Sequence, residues 1–157
     1  RLRNARRRVW IETPYFVPPR GLLAALRQAA RRGVDLRLIL PEHPDIVFMR
    51  WVRTTFCRLL LREGARIFEY HPSVLHAKFM IIDEVAIVGS SNLNFRSLLH
   101  DLEVDALLTA PVSIAELAAR FERDQADSSE VTSAIIALRP WVTRLLGNLF
   151  FRLRYWM

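Results

Sequence analysis

A chain of 157 residues, 52% hydrophobic and 25% charged, is long enough for a hydrophobic core of its own and too apolar to stay disordered. Its formal net charge of +7 favours anionic partners: nucleic acid, anionic lipid head groups or phosphorylated substrates. A single cysteine, Cys57, excludes an internal disulfide and a thiolate metal cluster, and no apolar run reaches the ~18 residues of a membrane span.

Residues 8–13 (RVWIET) predict a strand stopped by Pro14. Pro18 and Pro19 precede a predicted helix over 21–32, with Leu22, Leu23, Leu26, Ala29 and Ala30 on one face and Gly33 at its end. Leu36, Leu38 and Leu40 alternate as a second strand closed by Pro41. Over 45–62 the apolar residues Trp51, Val52, Phe56, Leu59 and Leu60 keep helical spacing, while Arg50, Arg53, Arg58 and Arg62 lie mostly off that stripe. Cys57 falls in this stretch, where a buried, inert thiol is expected. Gly64 ends the helix and 65–70 (ARIFEY) forms the third strand. Residues 75–82 and 85–89 predict two short strands joined at Asp83-Glu84, and 102–109 another. Ser113 and Glu116 fit a helix capping box, opening a helix to about residue 125. The polar run 124–130 predicts a loop or helix end. Strands alternating with helices imply an α/β domain, a layered α-β-α sandwich around a central mixed sheet.

The chemistry concentrates between residues 76 and 103. Lys78 is the single lysine among 23 basic residues, and an ammonium is a compact point charge where guanidinium is a planar fork. His76 stands two positions earlier, on the same face if the segment is a strand. Gly89 and Ser90 close the next strand, where glycine permits close backbone approach to a ligand. Asn92 offers amide donors beside the ammonium. Glu103 is an isolated acid in an apolar run, suited to hold the second ring nitrogen of His76. An imidazole with an oriented partner and two phosphate donors is what phosphoryl or phosphatidyl transfer needs.

These residues resemble the phospholipase D superfamily, whose signature is His-x-Lys-x4-Asp, then Gly-Ser-x-Asn, then Glu. Here it stands as HAKFMIID (His76 to Asp83), GSSN (Gly89 to Asn92) and Glu103. The stretches WIETPYFVP, RGVDLRLILP, EGARIFEY and SSNLNFRS look like the second half of bacterial cardiolipin synthases. Five residues separate Asp83 from Gly89 where the family usually has six, which implies a tighter hairpin. The resemblance implies that two such motifs meet in one site. One histidine forms a phosphohistidine, and the other protonates the leaving alcohol and activates the incoming one. It gives His76 the acid/base role. It counts His76, Lys78, Glu103 and Asp83 as the catalytic set, with Lys78, Ser90 and Asn92 on the phosphate, Glu103 orienting His76, and Asp83 a part more structural than chemical. No cofactor or metal is implied.

On that resemblance the expected protein is a lobe (1–130) of a cardiolipin synthase-type phosphatidyltransferase. It would act on phosphatidylglycerol, peripherally at a bacterial cytoplasmic membrane. The second motif would come from a preceding half or a second copy of the chain. A phospholipase D passing the group to water and a homodimeric nuclease are the rivals, with nucleic acid disfavoured by the tail. That tail, 131–157, is basic and aromatic: Trp141, Phe150, Phe151, Tyr155 and Trp156 beside Arg144, Arg152 and Arg154. It is either an interfacial membrane helix or a helix packed on the rest of the protein. His43, His71 and His100 are expected as loop histidines, and no His, Cys and Asp set has metal spacing.

Overall fold

The computed structural model describes residues 1–138. After a 3-10 turn (Leu2–Asn4), the elements are β1 (Arg8–Glu12), β2 (Phe16–Val17), α1 (Arg20–Arg31), β3 (Asp35–Pro41), α2 (Val47–Leu61), β4 (Arg66–Tyr70), β5 (Phe79–Ile82), β6 (Val85–Gly89), β7 (Leu93–Asn94), α3 (Phe95–Leu99), β8 (Asp105–Leu108), α4 (Pro111–Ala126), β9 (Ser128–Val131) and α5 (Ser133–Leu138). Seven strands form one sheet in the order β8-β6-β5-β1-β3-β4-β9, and β2 and β7 form a separate two-stranded ladder. β1, β3 and β4 run parallel, while β5, β6, β8 and β9 are antiparallel to their neighbours, so the sheet is mixed as expected.

Alternation along the strands divides the core into two layers. Val9, Ile11, Leu36, Leu38, Leu40 and Ile67 face α1 and α2, meeting Leu26, Ala29, Val52, Phe56 and Leu60. Trp10, Ile39, Phe68, Phe79 and Ile81 face the other way and meet Ile114 and Phe121 of α4. Phe121 stacks on Trp10 at 5.1 Å between ring centroids and meets Phe79 edge-on at 6.3 Å. Burying each such side chain contributes about 1.5–3 kcal/mol before the entropy of ordering it. Gly33 and Gly64 end α1 and α2 at φ 82° and 91°, the left-handed region that a β-carbon disfavours.

Five expectations needed correction. The run 124–130 is not a plain loop: its second half is β9, which pairs with β4 (Phe68 opposite Glu130) and is pinned by an Arg66–Glu130 ion pair. The sheet's own edge recruited these polar residues, which period-2 apolar spacing cannot reveal. The packing runs on past residue 130, since Val131 and Ile136 both join the α1/α2 layer. The capping box at Ser113 does not form. Proline takes the first helical position at 111, with Ala110 as the cap residue, because its fixed φ and missing N–H suit that place. Arg53 is buried in α2 rather than off its apolar stripe; it donates to the Pro41 and Glu42 carbonyls and pairs with Glu69, tying α2 to the ends of β3 and β4. The fifth correction concerns the strands at the site.

Candidate active site

Strand direction gathers one end of the sheet into a functional edge. The parallel strands β1, β3 and β4 end there, β5 and β8 begin there, and β6 ends there. Thr13, Lys78, Gly89 to Asn92 and Glu103 to Asp105 therefore converge although they span more than ninety positions. Crevices beyond strand ends are the usual ligand sites of open α/β sheets. The β2–β7 ladder (Phe16 opposite Leu93) binds the segment after β1 to the segment after Asn92. Nearby, the Tyr15 hydroxyl donates to Asp45, anchoring the loop after β3; burial first, then this carboxylate, pushes the phenol up to about 12.

β5 begins only at Phe79, so His76 and Lys78 lie in the extended segment before it rather than in a strand. The ladder nevertheless reaches Lys78, whose carbonyl accepts from Gly89 N at 3.2 Å, and the two side chains do share one side. Lys78 Nζ lies 3.1 Å from His76 Nδ1 and 3.3 Å from Nε2, and donates to the His76 carbonyl at 2.9 Å. Burial lowers the Lys78 pKa, and the Glu103 carboxylate opposes that by favouring the ammonium. The Lys78 amine thus lies against the His76 ring, with the Glu103 charge opposing the effect of its burial.

Glu103 also precedes its strand, since β8 starts at Asp105 and the flanking Leu102 and Val104 are exposed. Its carboxylate accepts from the Ser90 hydroxyl at 2.5 Å, not from His76. Ser90 is further tied to Val104: its backbone N–H donates to the Val104 carbonyl at 3.0 Å, and its hydroxyl accepts from Val104 N at 2.9 Å. Gly89 serves this junction rather than a ligand, because a β-carbon there would collide with Val104 O and Asp105. The Asn92 amide oxygen is buried without a hydrogen-bond partner, an unmet demand of the kind a ligand satisfies.

Asp83 is not part of this edge. It lies at the opposite end of β5, five residues and so about 16 Å of strand from Lys78. Asp83 and Glu84 form the two-residue turn between β5 and β6, with Asp83 at φ 50°. Its carboxylate accepts the backbone N–H groups of Arg6, Arg7 and Arg8. Burial alone would push its pKa up, but those three donors outweigh it and hold the carboxyl below its ordinary value. The hairpin is tight, as the five-residue spacing implied, and the aspartate is a structural clamp.

Sequence reasoning missed Ser91 and Asp105. Ser91 donates to Asp105 from both its backbone N–H and its hydroxyl. The available signal was that Asp105 stands two positions after Glu103, in register with it. The loop histidines fall outside the site: His71 bridges Glu42 and Ser129 at 2.6 Å each, His43 is exposed beside Glu42, and His100 packs on Phe95. Among the described residues, no group of three His, Cys, Asp or Glu side chains converges as a metal-ligand set.

The fold and this edge define a phospholipase D-type lobe. Residues 1–125 match the model of the cardiolipin synthase, PLD-like domain family, and the chain belongs to that family. It is 32% identical over 146 residues to a cardiolipin synthase of Alkalihalophilus pseudofirmus, covering 92% of this chain and 29% of that protein. It is 38% identical over 129 residues to cardiolipin synthase 2 of Bacillus cereus, covering 82% and 25%. The chain thus spans under a third of the length of these relatives. Among solved structures, Nuc, a phospholipase D family member from Salmonella typhimurium, superposes with a TM-score of 0.74 at 17% identity, covering 84% of this chain and 86% of that one. Phosphatidylserine synthase of Haemophilus influenzae superposes at 0.70 and 17% identity, covering 97% and 41%.

Proposed function

We propose that this chain is a catalytic lobe of a cardiolipin synthase-type phosphatidyltransferase. The reaction moves the phosphatidyl group of one phosphatidylglycerol to a hydroxyl of another and releases glycerol. A histidine nitrogen attacks phosphorus, the P–O bond to the glycerol head breaks, and the leaving oxygen takes a proton from the second histidine. The incoming glycerol hydroxyl then returns a proton to that residue as its oxygen displaces the phosphohistidine nitrogen. His76 is the acid/base member of the pair, and a second motif, from elsewhere in the protein or a second copy of this chain, supplies the other. Lys78 and Asn92 bind the phosphate, Ser90 supports them, and Glu103 holds Ser90 and the local charge. The reading puts the protein peripherally at an anionic bacterial membrane, where a net charge of +7 favours the head groups. Among the described residues no helix is long and apolar enough to cross a bilayer.

The observation that carries the reading is the contact of Lys78 Nζ with the His76 ring in a chain of this family. A cation beside the acid/base imidazole meets the charge that gathers on a phosphodiester oxygen in the transition state. The test is mass spectrometry of products from phosphatidylglycerol vesicles, using a preparation that contains both motifs. Cardiolipin and glycerol are expected, with His76→Ala lowering turnover at least about a thousandfold. Phosphatidic acid as the only product would replace transferase with hydrolase. Undiminished turnover by the variant would remove His76 from the mechanism.

A further inference from the structure

Behind Lys78 lies a cavity of about 80 Å³, well above the ~10–15 Å³ that one water needs. Its polar lining includes Lys78, Ser91 and Asp105 together with Glu12, and its apolar lining includes Met80 and Ile87. Register explains the grouping: Met80 pairs with Ile87, and Asp105 pairs with Gly89 two residues further along β6, so Met80, Ile87 and Asp105 share a sheet face. The missing β-carbon at Gly89 lets Asp105 approach.

Asp105 is held but not saturated. One oxygen accepts Ser91 N at 3.2 Å and the other accepts Ser91 Oγ, while a carboxylate has about four lone-pair sites. The remaining sites can accept from a hydroxyl. A fixed anion repels phosphate oxygens, so this space suits the uncharged part of a substrate. The opposing ammonium donates to a hydroxyl oxygen, and the apolar side suits a carbon edge. Hydroxyls on a short carbon chain match all three.

We propose that the cavity bounded by Lys78, Ser91 and Asp105 is a polyol subsite, holding the glycerol head of the lipid that gives up or receives the phosphatidyl group. The assignment to that head group rests on the transferase reading above. Binding of a small polyol by this chain does not.

Lys78 provides a direct probe because it is the only lysine, so an amine-reactive reagent labels one side chain, separable from the N-terminus by peptide mass spectrometry. Glycerol is expected to slow labelling of Lys78 at least about threefold relative to sucrose at matched viscosity, since sucrose is too large for the cavity. Asp105→Asn, with its fold checked by circular dichroism, is expected to raise the protecting glycerol concentration about tenfold, the loss of one charge-assisted hydrogen bond. Equal labelling in glycerol and sucrose with wild-type chain overturns the subsite, whatever the variant does. In the vesicle assay with both motifs present, the same substitution is expected to lower the ratio of cardiolipin to phosphatidic acid about tenfold. An unchanged ratio with unchanged total turnover overturns the head-group assignment. Glycerol protection without any cardiolipin leaves the subsite standing and sinks the transferase reading. Cardiolipin formation without protection does the reverse.

Discussion

The Ser90 hydroxyl donates to the Glu103 carboxylate at 2.5 Å across thirteen residues of sequence. This bond joins the loop after β6 to the segment before β8 and sets the acid whose charge favours the Lys78 ammonium. Ser90→Ala removes a charge-assisted hydrogen bond, so turnover should fall about tenfold while the thermal midpoint shifts little. A steady-state assay beside a melting curve checks it. Full activity in Ser90→Ala would mean that Glu103 is positioned by its backbone alone.

Asp83 should behave as a fold residue. Asp83→Ala leaves three backbone N–H groups without their acceptor and is expected to cost about 1–3 kcal/mol in urea unfolding. Specific activity well below the melting temperature should stay within about twofold. The sign with pH follows from a folded pKa below the ordinary 3.8: the carboxylate's stabilisation is complete above 3.8 and is lost as pH falls through the folded value. Acid unfolding of Asp83→Ala should therefore be shallower than that of wild type over that window.

Glu12 gives the opposite slope. It is fully buried at the end of β1, and neither carboxyl oxygen meets a donor, because its neighbour across the α4 interface is another acid, Asp124. Burial, then the Asp124 charge, raises its pKa from 4.5 to about 8, against the opposing pull of Arg120. The folded chain keeps a proton that the unfolded chain releases near pH 4.5, so stability falls as pH rises from there to about 8. The slope is at most about 1.4 kcal/mol per pH unit for one proton. Glu12→Gln should flatten it, and melting temperatures at pH 5 and pH 8.5 read the difference. Equal slopes in wild type and variant would show that Glu12 is ionised in the fold.

Phe121 is fully buried between Trp10 and Phe79. Phe121→Ala should cost about 3–5 kcal/mol, the range for truncating a core aromatic. Phe79 follows Lys78 directly, so this substitution should also loosen the site. Its loss of turnover is expected to exceed the fraction unfolded, as read by circular dichroism at the assay temperature.

Much of the site was legible because its members are close in the chain and of unusual type. A lone lysine two positions from a histidine was enough to find the pair that meets at 3.1 Å. The long apolar periodicities located β1, β3, β4, α1 and α2 to within one or two residues. What escaped has little local signal. β9 is polar, and only the unpaired edge of β4 makes it a strand. Ser91 in its loop and Asp105 in its predicted strand looked like ordinary polar residues until β6 and β8 were placed side by side. The expected tail helix over 141–157 lies outside the described residues.

Composition, periodicity and the spacing of a few reactive groups determined, by themselves, an α/β layered domain and singled out His76 and Lys78 as a candidate phosphate site. Those properties are short-range: they depend on which residue types stand within a turn or a strand of each other. Only the tertiary structure decided that Asp83 belongs to the far end of the sheet, that Glu103 holds Ser90 rather than His76, and that Asp105 faces the cavity behind Lys78. Each depends on which strands lie side by side and in which direction they run. That is set by long-range burial of two apolar layers, a cooperative balance that no local pattern encodes.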